Sequence, residues 1–160
     1  LEVFDAVRGA FPADRPVSMR ISGTDWVDGG WDIAQSIEFA RALAARGGDA
    51  IHISSGALDP RQKITIGPNY QVPFARAVKQ ATNLPVVAVG LITGYEQAEA
   101  IVATGDADMV ALARTILYNP RWPWHAAAHL GAKVTPPDQY WAAQPRQYRT
   151  LFERKESAEN

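Results

Sequence analysis

The sequence predicts an α/β protein built from four consecutive strand–helix units, and three observations carry that reading. Four short runs rich in aliphatic and β-branched residues each give way to a stretch with helical spacing of its apolar positions. Helix-start and helix-stop residues stand at the joins. The last two runs end in Ala88-Val-Gly-Leu-Ile92 and Ala111-Leu-Ala-Arg-Thr115. This places a glycine turn and an arginine at the C-terminal ends of the final two strands, a common location for a phosphate site in a β/α array. Strands alternating with helices imply right-handed parallel crossovers.

Leu1, Phe4, Val7 and Phe11 fall near one face of an opening helix. No capping residue precedes them, so the expectation is a chain that starts inside a helix. Neither the basic stretch nor the longer apolar core of a signal peptide is present there. Pro16–Ile21 reads as the first strand. A loop, Gly23-Thr-Asp-Trp-Val-Asp-Gly-Gly30, leads into an amphipathic helix over Ile33–Arg46. Asp32 and Gln35 have the spacing of a capping box, and Gly47-Gly48 suits a left-handed exit. Asp49–Ser54 is the second strand. The loop that follows, residues 55–71, is too long to be only a connector, and Pro73 opens the next helix at no hydrogen-bond cost. Pro85–Val89, almost entirely apolar, fits a strand covered on both faces. Thr93 and Glu96 have capping-box spacing for a helix to about Thr104, which Gly105 ends. Asp108–Leu112 is the fourth strand. Arg114 opens a short helix that Asn119-Pro120 interrupts, and a last helix contains Trp124–Leu130.

Composition narrows the function classes. With 47% hydrophobic and 21% charged residues the chain is globular, and no apolar run approaches the roughly 18 residues of a membrane span. Sixteen basic against 17 acidic residues leave a net charge of −1, which offers no field for nucleic acid or anionic lipid. The absence of cysteine rules out a disulfide framework, a thiolate nucleophile or a Cys-ligated metal, and makes the cytoplasm the expected compartment. Four βα units are half of an eight-stranded barrel. Alone they would expose two strand edges and the interior face of the sheet. The expectation is therefore a piece of a larger TIM (β/α)8 barrel over residues 1–135, or one that pairs with another piece, followed by a tail at residues 136–160.

Four segments in order, Arg20-Ile-Ser-Gly-Thr-Asp25, Ser54-Ser-Gly-Ala-Leu58, Ala88-Val-Gly-Leu-Ile92 and Ala111-Leu-Ala-Arg-Thr115, resemble the second half of the old yellow enzyme family, closest to its bacterial thermophilic-like class of FMN-dependent ene-reductases. The likeness covers about residues 1–150 and is more specific than any single glycine turn. It implies cofactor contacts at Arg20, Ser54, Val89, Gly90, Ala113 and Arg114. Arg20 matches the arginine at the flavin pyrimidine edge, where a fixed positive charge favours the anion of reduced FMN. Read without the family, it could equally pair with Asp25 or another loop carboxylate. Gly90 matches the phosphate-side glycine and Arg114 the phosphate-binding arginine, the two together cradling the ribityl phosphate. Ala113 stands where relatives often carry glycine.

The same resemblance implies that NADPH or NADH reduces FMN, which passes hydride to an activated alkene such as an enone. The proton-donating tyrosine and the paired donors on the carbonyl oxygen belong to the first half of the barrel, so no catalytic residue is assigned within this chain. The class closes its site with an arginine after a Gln-Tyr pair, delivered to a neighbouring subunit. Gln139-Tyr140 is followed here by Trp141-Ala142, with Arg146 or Arg149 as substitutes. A homo-oligomer, or pairing with the missing half barrel, is expected. Two other readings stay open: a different phosphate-binding barrel enzyme, such as a flavin dehydrogenase or phosphosugar isomerase, and a non-catalytic half barrel that self-associates.

Other features have structural explanations. His125 and His129 share i,i+4 spacing but lack the intervening glutamate and third ligand of a zinc site, and no metal is assigned. His52 reads as a barrel-wall histidine with a local hydrogen bond. Asp25, Asp28 and Asp32 lack the ligand alternation of a calcium loop and read as caps and turns. Ser54-Ser55-Gly56 has no nucleophile elbow around it. The five tryptophans read as packing residues.

Overall fold

The computed structural model describes residues 1–154. The chain divides into two compact units, one spanning Leu1–Leu112 and one running from Ala113 onward. In the first unit α1 (Glu2–Ala10), β1 (Ser18–Ser22), α2 (Ile33–Ala45), β2 (Ala50–Ser54), α3 (Val72–Ala81), β3 (Val86–Ala88), α4 (Tyr95–Ala103) and β4 (Met109–Val110) alternate as predicted. All four strands are parallel, in the order β1-β2-β3-β4. The strands are shorter than predicted. Pro16 and Pro85 have no N–H to give a ladder, so β1 and β3 begin beyond them. β4 is an edge strand of this sheet and pairs over two residues only.

Register divides the sheet into two unlike faces. Ile51, Ile53, Val86 and Ala88 point to the helical side and are fully buried, together with Ala40 and Leu43 of α2 and Ala75 and Val78 of α3. Each of the Ile, Leu and Val side chains among them contributes roughly 1.5–3 kcal/mol of burial. Arg20, His52, Val87 and Met109 form one register row on the opposite face, where Arg20 is exposed, His52 and Val87 are half-buried and Met109 is 45% exposed. The apolar run of β3 predicts two covered faces. Within this unit only the helical face is covered.

Caps set the helix boundaries. Asp32 Oδ1 accepts from Gln35 N at 2.9 Å and Gln35 Oε1 accepts from Asp32 N at 3.0 Å, the predicted capping box, and Gly47 takes the left-handed exit at φ 77°. At α4 the expected Thr93–Glu96 box is replaced. Gly94 is the N-cap, and the Gln97 side chain accepts from Thr93 N (2.9 Å) and Gly94 N (3.2 Å). Gln97 prevails because it sits at the third helical position, within reach of those amides, whereas Glu96 lies one residue too early. The expected apolar face of α1 is buried only at Phe4; Leu1, Val7 and Phe11 are exposed.

A repeated device closes the N-terminal ends of the strands. Asp49, just before β2, accepts from Val17 N at 2.7 Å and from Arg8 at 3.2 Å. Asp108, just before β4, accepts from Val86 N at 2.8 Å and from Lys79 at 2.5 Å. Each aspartate thus ties the foot of the preceding strand to a basic residue of a helix.

In the second unit α5 (Arg114–Tyr118) and α6 (Trp122–Leu130) precede a 3-10 helix over Asp138–Ala143. Ala127, Leu151 and Phe152 form a small core with Trp124, Val134 and Trp141 against it. Val134 pairs with Phe152 in an isolated bridge. The Arg121 guanidinium lies 4.6 Å from the Trp124 ring and 4.2 Å from that of Tyr140, an arrangement stabilised by the ring quadrupoles. His125 Nδ1 lies 3.0 Å from Asn119 Nδ2.

Candidate functional site

Backbone strain marks one end of the sheet. Among the described residues, the non-glycine residues with positive φ are Trp26 (56°), Ala57 (60°), Asn69 (64°) and Leu91 (50°). All lie in loops that follow β1, β2 or β3 at its C-terminal end. Each such conformation costs on the order of 1–2 kcal/mol and needs surrounding contacts to hold it. Asn69 has them: Gln97 Nε2 donates to Asn69 Oδ1 at 2.6 Å and to Leu91 O at 2.9 Å, and Asn69 N donates to Gly90 O at 3.1 Å. Trp26 packs edge-on against Phe74 at 5.3 Å and stacks on Tyr70 at 6.5 Å.

A hydrogen-bonded chain runs from β1 through the end of β2 to the start of α3. Arg20 Nη2, from β1, donates to Ser54 Oγ at 2.9 Å. Ser54 Oγ, at the end of β2, donates to Gln71 Oε1 at 3.4 Å, and Ser55 Oγ donates to the same oxygen at 2.7 Å. Gln71 is 3% exposed and stands at the N-cap of α3 without capping it. Its side chain fills the space beside Gly90, where an added Cβ would meet Gln71 Nε2 at 2.9 Å and Gln71 Cβ at 3.1 Å. Gly90 has φ 127°, so glycine is required there by conformation and by the approach of Gln71 alike. Three of the predicted site residues, Arg20, Ser54 and Gly90, are therefore joined through a fourth that the sequence did not reveal. Glutamine is not a favoured N-cap, and nothing in its local spacing indicates burial.

His52 faces Arg20 across the β1–β2 register. Its Nε2 is buried without a hydrogen-bond partner among the described residues, so the expected local bond is missing at that nitrogen. Burial first, and the Arg20 charge second, push its pKa below the ordinary histidine value, which favours the neutral imidazole. The indole Nε1 of Trp26 is likewise buried and unpartnered.

Of the other predicted residues, Val89 follows β3 directly and is half-buried. Ala113 and Arg114 belong to the second unit. Ala113 is the N-cap of α5 with φ −114° and ψ −90°, and both residues are exposed. Ala142, where the class carries an arginine, is exposed in the 3-10 helix.

The residues of the first unit suit the pyrimidine edge of a flavin. Arg20 carries a rigid fork of five N–H donors, of which the protein engages Nη2. Asp25, its candidate carboxylate partner, instead accepts from Trp31 N at 2.9 Å. Among the described residues no carboxylate pairs with Arg20, so its charge is unneutralised on the open face of the sheet.

The chain is 41% identical over 139 residues to an NADPH dehydrogenase of Geobacillus thermodenitrificans, an alignment that covers 87% of this chain and 40% of the relative. The chain thus spans about two-fifths of the length of the curated relatives it matches. Among solved structures, it superposes on a 2-naphthoyl-CoA reductase bound to 2-naphthoyl-CoA with a TM-score of 0.70 at 26% identity, over 82% of this chain and 20% of that one. It superposes on morphinone reductase with a TM-score of 0.58 at 26% identity, over 86% and 35%. The profile of the NADH:flavin oxidoreductase / NADH oxidase family matches residues 1–133. The chain belongs to that family of enzymes, whose cofactor is FMN and whose reductant is a nicotinamide nucleotide.

Proposed function

We propose that this chain is the second half of a (β/α)8 barrel in a cytoplasmic, homo-oligomeric FMN-dependent oxidoreductase that uses NAD(P)H to reduce activated C=C bonds such as those of enones. The observation that carries the proposal is the Arg20 guanidinium, held by Ser54 on the sheet face opposite its unit's helices, with no carboxylate against it among the described residues. The strained loops at the same end of the strands, and the sheet face left open by the helices of the same unit, support it.

FMN, when bound, supplies the hydride relay between the nicotinamide and the alkene. Arg20 would hold its pyrimidine edge and offset the negative charge that collects there on reduction. Gly90, with Val89 before it, would present backbone to the phosphate side, and Arg114 would contribute a charge-assisted phosphate contact from the start of α5, beside Ala113. Ser54 fixes the direction of Arg20. The groups that protonate the alkene and bind its carbonyl oxygen would come from the remainder of the protein, so the 160-residue chain alone does not turn over. The tail from residue 136 serves as a subunit contact.

The test is to purify the complete protein, measure its FMN content, and follow NADPH oxidation without oxygen, with and without 2-cyclohexenone. FMN near one per chain and enone-dependent oxidation are expected. A protein that takes up no flavin, or whose NADPH oxidation ignores the enone, refutes the proposal.

A further inference from the structure

We infer that Gln71 is a positioning residue for Arg20, acting through Ser54, and so sets how strongly the arginine's charge is felt at the flavin's pyrimidine edge. The inference deepens the proposed function and rests on it. The donor-only guanidinium sets the direction of the first bond, and the others follow from it. Arg20 can only donate, so Ser54 Oγ accepts from Nη2 at 2.9 Å and its single hydroxyl proton is left to point at Gln71 Oε1, 3.4 Å away. Ser55, at 2.7 Å, spends its proton on the same oxygen. The amide is thereby held with its oxygen toward the serines and its nitrogen toward Gly90. The flipped amide would set NH2 against two hydroxyls and leave neither serine an acceptor at this point.

Gln71 is also the best-anchored member of the chain. Its side chain is buried and wedged against Gly90, whereas Arg20 is exposed and has one protein hydrogen bond among the described residues. A mobile guanidinium on an open face is oriented only by what stands behind it. Without an acceptor at position 71, the Ser54 hydroxyl is free to rotate, and Nη2 loses a fixed lone pair. The same glutamine touches the phosphate-side glycine, so one buried amide braces both ends of the expected cofactor site.

The test is a double-mutant cycle on the complete FMN-loaded protein, with sulphite as the probe. Sulphite adds to oxidised flavin and leaves negative charge at the pyrimidine edge, so its affinity reports the positive charge placed there. Gln71→Met keeps the volume and removes the acceptor. In the wild-type background it should weaken sulphite binding roughly fivefold, about the worth of one neutral hydrogen bond. In an Arg20→Met background it should change sulphite binding little, because the residue through which it acts is gone. The thermal midpoint of the flavin-free protein should drop equally in both backgrounds, which separates packing from positioning. Should Gln71→Met not fold, Ser55→Ala removes the shortest bond to the amide and runs through the same cycle with the same expectation. Equal weakening in both backgrounds, or no weakening in either, overturns the role of Gln71 while FMN binding stands. A wild-type protein that takes up no FMN overturns the function and this role together.

Discussion

Arg20 and Arg114 carry the same charge in different settings, and the difference predicts their effects. Arg20 is tied to Ser54 and, in the proposed function, would face delocalised charge on a ring. Arg114 is exposed at the start of α5 and resembles a phosphate ligand, where a charge-assisted contact contributes about 1.5–3 kcal/mol. Arg114→Ala in the complete protein should therefore lose more FMN on dialysis than Arg20→Ala; equal flavin content in the two would contradict the assignment. Gly90→Ala addresses the other predicted residue. Its φ of 127° and the 2.9 Å approach of Gln71 Nε2 leave no room for a methyl, so the variant should be less stable by about 1–3 kcal/mol in urea unfolding. Wild-type stability would show that Gln71 is not wedged there.

At the level of elements the two ends of the sheet have different tasks. The C-terminal loops hold the strained residues, while the N-terminal ends are locked by Asp49 and Asp108. The Asp108 carboxyl is held below its ordinary pKa, chiefly by the hydrogen bond from Lys79 and next by that from Val86 N. A carboxylate whose pKa is lowered by folding contributes stability above its unfolded value, near 3.9, and loses that contribution as pH falls through the folded value. Asp108→Ala should cost about 1–2 kcal/mol near neutral pH, and its deficit relative to wild type should shrink below about pH 4. A deficit that does not vary with pH, measured by urea unfolding across that range, would rule out the ionised pair as its source. The helices were legible because their signals are local: the Asp32–Gln35 box spans a single turn. The α4 cap was misassigned because two acceptors, Glu96 and Gln97, lie side by side in sequence and only the geometry of the turn selects between them.

For the whole molecule the open sheet face is the decisive feature. Val87 and Met109 share it with Arg20 and His52, and β1 and β4 are the edges of this sheet. Sheet edges, and apolar side chains such as Val87 and Met109 on a face that the helices of their own unit leave open, invite association. The 160-residue chain expressed alone should elute as a species larger than its 17.4 kDa, bind a hydrophobic dye and lack flavin absorbance. Adding the rest of the protein should abolish the dye binding. A dye-free 17.4 kDa monomer would argue against a half barrel.

By itself the sequence determined the alternation of strands and helices and the parallel class, because these depend on periodicity and on signals a few residues long. The tertiary structure alone decided that Gln71 lies against Gly90, that Arg20 is held by Ser54 and not by Asp25, and that His52 Nε2 finds no partner among the described residues. Those facts join residues 17 to 34 positions apart. Contacts at that separation are set by strand register and by the packing of α3 on β2 and β3, which no local pattern of residues encodes.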